Sequence, residues 1–99
     1  MNRMDPADLK SFARKYIWWK SPDEAVLHPV RVISQVMEIG DFDDVKRLNE
    51  LVGDAVFVEA LQQADAGTFR PRSWHYWHYR LGLAHDSSQI PPMPLRKVE

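Results

Sequence analysis

The residues best suited to chemistry are concentrated in one short stretch of the sequence. Residues 74–79 read Trp-His-Tyr-Trp-His-Tyr and hold six of the chain's fifteen aromatic and histidine side chains. His75 and His78 are three residues apart, so on a helix both imidazoles could approach one metal ion. A metal site needs three or four ligands, and the other histidines and acids have no supporting spacing. We therefore expect no metal site, but a partly buried His78 that hydrogen-bonds in the core and an exposed His75.

A second set of candidate residues consists of the carboxylates Asp41, Asp43 and Asp44. Neighbouring acids are what a metal-assisted nuclease or phosphatase requires. These three also follow Gly40 at a predicted helix start, where capping and the helix dipole favour acidic residues. The sequence contains no nucleophile elbow, phosphate-binding loop, zinc-protease motif or dinucleotide fingerprint. We expect a structural role for the three acids, and neither enzymatic activity, catalytic residues nor a cofactor.

Helix start and stop signals position these residues, and strand signals are absent, so the sequence predicts an all-α fold. The predicted helices run from Pro6 to about Trp18, from Pro22 for one or two turns, from Pro29 to Gly40, from Asp41 to Gly53, from Asp54 to Gly67 and from Ser73 to Gly82. Ser21, Asp41 and Ser73 are the expected N-caps, and Gly40 is expected to end its helix in the left-handed conformation. We predict one compact domain over residues 1–84, a bundle of five or six short helices. A loose, extended, proline-rich tail is expected over residues 85–99.

Apolar spacing predicts which aromatic side chains are buried. In the last helix, Trp74, Trp77 and Leu81 share one face with His78, which indicates a core stripe. In the first helix, extending the apolar stripe by three residues beyond Tyr16 places Trp19 in the core and leaves Trp18 outside.

The side chains left on outer faces form a candidate interaction surface. Large exposed aromatic residues beside arginine are typical anchors of protein interfaces. The candidate contact residues are Arg14, Trp18, Arg72, His75, Tyr76, Tyr79 and Arg80. We expect them to bind a larger protein.

Charge is distributed unevenly and leaves a second class of partner open. Residues 1–22 carry five basic and two acidic groups, residues 23–65 three and ten, and residues 66–99 five and two, giving blocks of +3, −7 and +3. The basic terminal blocks could contact phosphates, so a small nucleic-acid-binding regulator is the alternative function. A helix-turn-helix at residues 29–52 is disfavoured, because the recognition helix would present Asp41, Asp43 and Asp44 to a polyanion.

Composition limits the kinds of chemistry and the cellular location that we expect for this chain. There is no cysteine, which excludes disulfides and thiolate chemistry. No apolar run approaches the ~20 residues that span a bilayer, and the amino terminus lacks an apolar signal core. We expect a cytoplasmic protein with no membrane partner.

Four stretches of the sequence resemble a group of small, uncharacterised bacterial proteins. They are residues 13–19 (Ala-Arg-Lys-Tyr-Ile-Trp-Trp), residues 29–41 ending in Gly-Asp, Val52-Gly53, and the aromatic-rich residues 73–82. The similarity covers residues 8–83. Genes of such families often lie beside a nucleotidyltransferase toxin of the abortive-infection type. The resemblance implies an antitoxin-like accessory partner of that toxin, acting by protein contact or by regulating the operon, and carries over no catalytic residues.

Overall fold

Helices make up the regular structure of the chain in the computed structural model, which describes residues 6–94. The elements are α1 (Pro6–Tyr16), α2 (Pro22–Ala25), α3 (Pro29–Ile39), α4 (Phe42–Val52), α5 (Asp54–Gln62), α6 (Pro71–Arg80) and a 3₁₀ turn (Ser87–Gln89). No strand occurs within the described residues. The predicted all-α class and the predicted number of helices are confirmed.

Helix α3 is the element around which the others are arranged. It packs against α1, α2, α4 and α5, and it accepts a hydrogen bond from Trp77 of α6 at the carbonyl oxygen of Met37. Its Val32 and Val36 are completely enclosed, as are Phe12, Leu48 and Phe57 of the surrounding helices. The radius of gyration is 13.6 Å, close to the roughly 13 Å expected for a compact domain of about 100 residues. The helices therefore share one core.

Proline and side-chain caps determine where most of the helices begin. Ser21 accepts the backbone N–H of Glu24 at the start of α2, and Asp41 accepts that of Asp44 at the start of α4, so both predicted caps are confirmed. The predicted Ser73 cap is wrong. Helix α6 begins three residues earlier, with Arg70 as its N-cap and Pro71 as its first residue, since the fixed φ and missing N–H of proline suit the first helical position.

The end of α1 differs from the prediction. The helix stops at Tyr16 instead of continuing to Trp18, and the next residues form a turn in which the Lys20 N–H bonds to the Ile17 carbonyl. Ile17 is buried, whereas Trp19 is 54 % exposed. The expectation that Trp19 lies in the core is therefore wrong. Helical spacing predicts the direction of a side chain only within the helix, and α1 ends before Trp19.

Gly40 has a different role from the predicted left-handed cap. Its φ is −66° with an extended ψ, so the left-handed assignment is wrong. A Cβ at Gly40 would collide with the carbonyl oxygen of Val36, to which the Gly40 N–H also donates a hydrogen bond. Glycine is needed here because the backbone approaches itself closely where α3 turns directly into the Asp41 cap.

Helix α5 ends at Gln62, five residues before the predicted end at Gly67. The Ala64 N–H donates to the Leu61 carbonyl, three residues back instead of four, and this bond ends the α-helical pattern. A turn follows in which the Thr68 N–H donates to the Asp65 carbonyl. Residues 63–70 form a connecting loop that inserts Phe69 into the core.

The chain beyond α6 contacts the domain as far as it is described. Trp74 donates its indole N–H to the Pro91 carbonyl at 2.9 Å, and Ile90 and Met93 pack against the core. Residues 95–99 of the predicted tail lie outside the described residues, and the domain boundary at residue 84 stays a prediction. Within residues 6–94, no helix is long and apolar enough to cross a membrane.

Candidate interaction surface

Helix α6 has one buried face, and it is the face predicted from spacing. Trp74, Trp77 and His78 are buried, which confirms the inward stripe. The Trp77 ring packs edge-on against Phe57 with ring centroids 5.2 Å apart, and its indole N–H donates to the Met37 carbonyl at 2.9 Å. Trp77 therefore joins α6 to α5 and α3.

The two histidines of α6 lie in different environments, as predicted. Nδ1 of the buried His78 lies 2.6 Å from the Trp74 carbonyl and donates to it, because a carbonyl oxygen can only accept. Nδ1 of the exposed His75 likewise lies 2.7 Å from the Pro71 carbonyl. No three histidine, cysteine or acidic side chains within residues 6–94 come together to hold a metal ion.

The outer side of α6 borders a groove, here called the α4–α6 groove. Its floor consists of Met37, Val45 and Trp77, and its rims are Phe42 at the start of α4 and Tyr76 on α6. The groove has a volume of about 280 Å³. Phe42 is 80 % exposed and Tyr76 54 %, so two large aromatic side chains stand in solvent on either side of an apolar floor.

Charges of opposite sign occur close to the α4–α6 groove. Arg72 lines the groove on the α6 side, and α6 contains no acidic residue. On the other side, Phe42 is flanked by Asp41 and Asp43 in the first turn of α4. Among the described residues, neither Arg72 nor Asp43 makes an ion pair, so both charges are available to a partner.

The acids at the start of α4 that point towards α1 are already paired. The Lys15 ammonium lies 2.6 Å from Asp44 Oδ2 and 3.2 Å from Asp41 Oδ2. The Tyr16 hydroxyl donates to Asp44 Oδ2 at 2.5 Å and accepts the Asp41 N–H at 3.4 Å. We call these four residues the α1–α4 junction. Asp41 and Asp44 hold two helices together, in agreement with the structural role expected of them.

Proton affinities in the junction follow from these bonds. Hydrogen bonds from the Lys15 ammonium and the Tyr16 hydroxyl lower the pKa of Asp44. The same bond to Asp44, with a further one to Asp41, raises the pKa of Lys15. Burial raises the pKa of Tyr16, and its bond to the Asp44 carboxylate raises it further. All three shifts favour the protonation states that are bonded at neutral pH.

The predicted contact residues fall into two groups. Arg72, His75, Tyr76, Tyr79 and Arg80 are all exposed on α6. Arg14 and Trp18 belong to α1 and the turn after it, and α1 packs mainly on α2 and α3.

Trp18 is 77 % exposed and meets only Trp19 among the aromatic rings of the described chain, edge-on at 5.7 Å. Among the described residues, no hydrogen bond, ion pair or ring contact joins the two groups, and a role for either in binding stays a prediction.

Sequence reasoning missed Phe42. Its position three residues before Val45 fits the apolar stripe of α4, which favours burial. Phe42 is the first residue of α4, however, and its side chain is 80 % exposed. The sequence did contain a signal for the exposure of Phe42. Its neighbours in sequence are three acidic residues, which usually stay close to solvent.

A comparison of the chain with protein-family models gives no match, and searches of curated proteins and of solved structures give none either.

Proposed function

We propose that this chain is a non-enzymatic protein-interaction module that binds a larger protein partner through the α4–α6 groove. The observation that carries the proposal is the pair of exposed rings, Phe42 and Tyr76, on either side of an apolar floor. Aromatic side chains that surround a small apolar depression are typical of interface hot spots. Exposed apolar groups of this size are costly in water and become favourable when a partner covers them.

The size and charge of the groove specify the kind of segment that fits. A volume of about 280 Å³ accommodates one or two apolar side chains rather than a whole helix. Arg72, which lines the groove, favours a segment that carries an acidic residue beside its apolar anchor. We propose such a segment, helical or extended, as the occupant.

The partner we propose is the bacterial nucleotidyltransferase toxin that the sequence resemblance implies. In that role the chain would be an antitoxin-like accessory protein, acting by contact rather than by chemistry. The support for this identity is the resemblance over residues 8–83, and the support for the contact surface is the groove.

A small nucleic-acid-binding regulator is the second candidate, and one observation favours it. From Pro71 to Arg80, α6 carries Arg72 and Arg80 beside two exposed tyrosines and no acid, a combination that can bind phosphates and stack bases. Asp43, next to Phe42 in the first turn of α4, opposes it, because it adds negative charge close to this surface. The protein partner is therefore the preferred proposal.

The test is site-specific photo-crosslinking in bacterial cells that express both this chain and the neighbouring toxin. A photoreactive phenylalanine analogue replaces Tyr76 in one variant, Phe42 in a second and Leu27 in a third. Leu27 is an equally exposed apolar residue in the α2–α3 connection and is the matched control. We expect the toxin in the adducts from positions 42 and 76 but not in those from position 27. The proposal is wrong if position 27 yields the same adduct, or if positions 42 and 76 yield only nucleic acid.

A further inference from the structure

A second cavity lies away from the α4–α6 groove and shares no lining residue with it. It opens between three segments: residues 17–20 after α1, the start of α3, and the loop 63–68. Its volume is about 460 Å³, within the roughly 300–1,000 Å³ range of clefts that bind small molecules. We call it the α3 cleft.

One buried polar group in the α3 cleft lacks a hydrogen-bond partner. Ser34 lines the cleft, is 1 % exposed, and its hydroxyl bonds to no other described residue. Buried hydroxyls are almost always hydrogen-bonded, because an unsatisfied one loses its interaction with water and gains nothing. Ser34 lies one helical turn after Arg31 and beside Gln35, and all three line the cleft. The Ser34 Oγ has less than 1 Å² of exposed surface, so a ligand reaches it only after a rotation of the side chain about χ1 towards the cleft.

The charges that line the α3 cleft favour an anion. Lys20 and Arg31 are basic, whereas Asp65 is the one acid among the lining residues, 3.9 Å from the Arg31 guanidinium. Lys20 makes no ion pair with another described residue. Helix α3 also begins here, and its N-cap residue His28 provides no side-chain cap, so the positive end of the helix dipole is not neutralised.

Part of the wall of the cleft is apolar, while Gln35, Gln63 and Thr68 add polar groups to it. Ile17, Val30 and the half-exposed indole of Trp19 line it. A planar or aliphatic body would pack against these side chains, and an indole suits a planar one.

We propose that the α3 cleft binds a small organic anion non-covalently. Its phosphate or carboxylate group lies at Lys20 and Arg31, and its body lies against Trp19 and Val30. A polar atom of the ligand bonds to the Ser34 hydroxyl after that hydroxyl has rotated about χ1 towards the cleft. This site is independent of the protein contact at the α4–α6 groove.

The test uses the full chain labelled with ¹⁵N and three probes that share a phenyl ring. Phenyl phosphate and benzoate carry the two anionic groups, and benzyl alcohol is the neutral match. We expect saturable amide shifts in residues 30–35 and 63–68 with at least one anion, with benzyl alcohol about tenfold weaker. The stronger of the two anions identifies the group that the site prefers.

Four variants connect the shifts to the residues named. Lys20→Gln and Arg31→Gln should each weaken anion binding about tenfold, and Ser34→Ala about threefold, without loss of thermal stability. Lys46→Gln, an exposed lysine on α4, is the control and should change affinity by less than about twofold. The proposal is overturned if neither anion saturates these amides, if the neutral probe binds equally well, or if the three cleft variants bind like the unmodified chain.

Discussion

The first turn of α4 contributes to both the α1–α4 junction and the α4–α6 groove. The polar side chains of the junction are bonded to one another, whereas the groove has an exposed aromatic side chain. Towards α1, Asp41 and Asp44 are bonded to Lys15 and Tyr16, and the polar groups of the α1–α4 junction bond to one another. Towards α6, Phe42 stands exposed at the rim of a groove. The junction contains three charged side chains, and its bonds join α1 to α4. The difference shows that the charged residues at the start of α4 are bonded within the fold, whereas Phe42 beside them is exposed. The proposed contact surface therefore rests on the exposed side chains and not on the charges of the junction.

The largest expected loss of stability comes from Trp77 on the floor of the groove, compared with Tyr76 on its rim. Trp77→Ala removes the packing against Phe57 and the bond to the Met37 carbonyl, and should lower the free energy of unfolding by about 3–5 kcal/mol. Tyr76→Ala, one residue earlier on the exposed face, should cost less than about 1 kcal/mol. Urea denaturation followed by circular dichroism measures both. Equal losses in the two variants would contradict the division of α6 into a core face and a contact face.

The next effect tests whether the junction acids stabilise the fold. Asp44→Ala leaves the Tyr16 hydroxyl without its acceptor and the Lys15 ammonium without its shorter ion pair, so it should cost about 1.5–3 kcal/mol. Asp43→Ala is the matched control on the same turn and should change stability by less than about 0.5 kcal/mol. Chemical denaturation of both variants decides. If Asp44→Ala lowers the free energy of unfolding no more than the control does, the junction does not stabilise the fold.

Several features of these two regions could be predicted from the sequence. Local rules identified the Asp41 cap, the buried face formed by Trp74, Trp77 and His78, and the structural role of the acids, because each depends on a few neighbouring residues. The end of α1 and the exposure of Trp19 were not readable. They depend on where the chain turns after Tyr16, which is a property of packing.

The candidate site was less predictable than the fold. Tyr76 and Arg72 were found because α6 has a regular period, whereas Phe42 was missed because burial at the edge of a core depends on what lies beyond the helix end. Gly40 shows the same limit: its sequence position indicates a helix end, but only the contact with Val36 shows why glycine is required there. The α3 cleft combines three segments distant in sequence, and no local pattern marks Ser34 as unpaired.

A pH titration sharpens the account of the junction. The pKa of Asp44 is lowered in the folded protein by Lys15 and Tyr16, so its contribution to stability is complete above the unfolded pKa of about 3.9 and is lost as the pH falls through the lower folded value. Stability of the unmodified chain should therefore drop on acidification over that window, and the drop should be smaller in Asp44→Asn. The measurement is urea denaturation at a series of pH values. Parallel curves for the two proteins would show that Asp44 does not have the lowered pKa.

The smallest effect concerns the α1 part of the candidate surface. Trp18 is exposed and its one ring contact is with Trp19, so Trp18→Ala should change the free energy of unfolding by less than about 0.5 kcal/mol. The same variant measures the extent of the contact surface, because affinity for the partner falls only if the interface reaches α1. Arg14→Gln, one turn earlier, is the companion variant. A large loss of stability in Trp18→Ala would contradict the exposure of this side chain.

The most direct test of the central claim is the affinity of the purified chain for the purified nucleotidyltransferase, measured by calorimetry. We predict that Phe42→Ala and Tyr76→Ala each weaken binding at least about tenfold, as loss of a hot-spot side chain does, while Leu27→Ala stays within about twofold. The affinity should also fall by less than about tenfold between roughly 50 and 200 mM salt, since apolar contacts are weakly screened. Equal affinities for all four proteins would contradict the account, and a steep salt dependence that is unaffected by Phe42→Ala would favour a phosphate-binding surface instead.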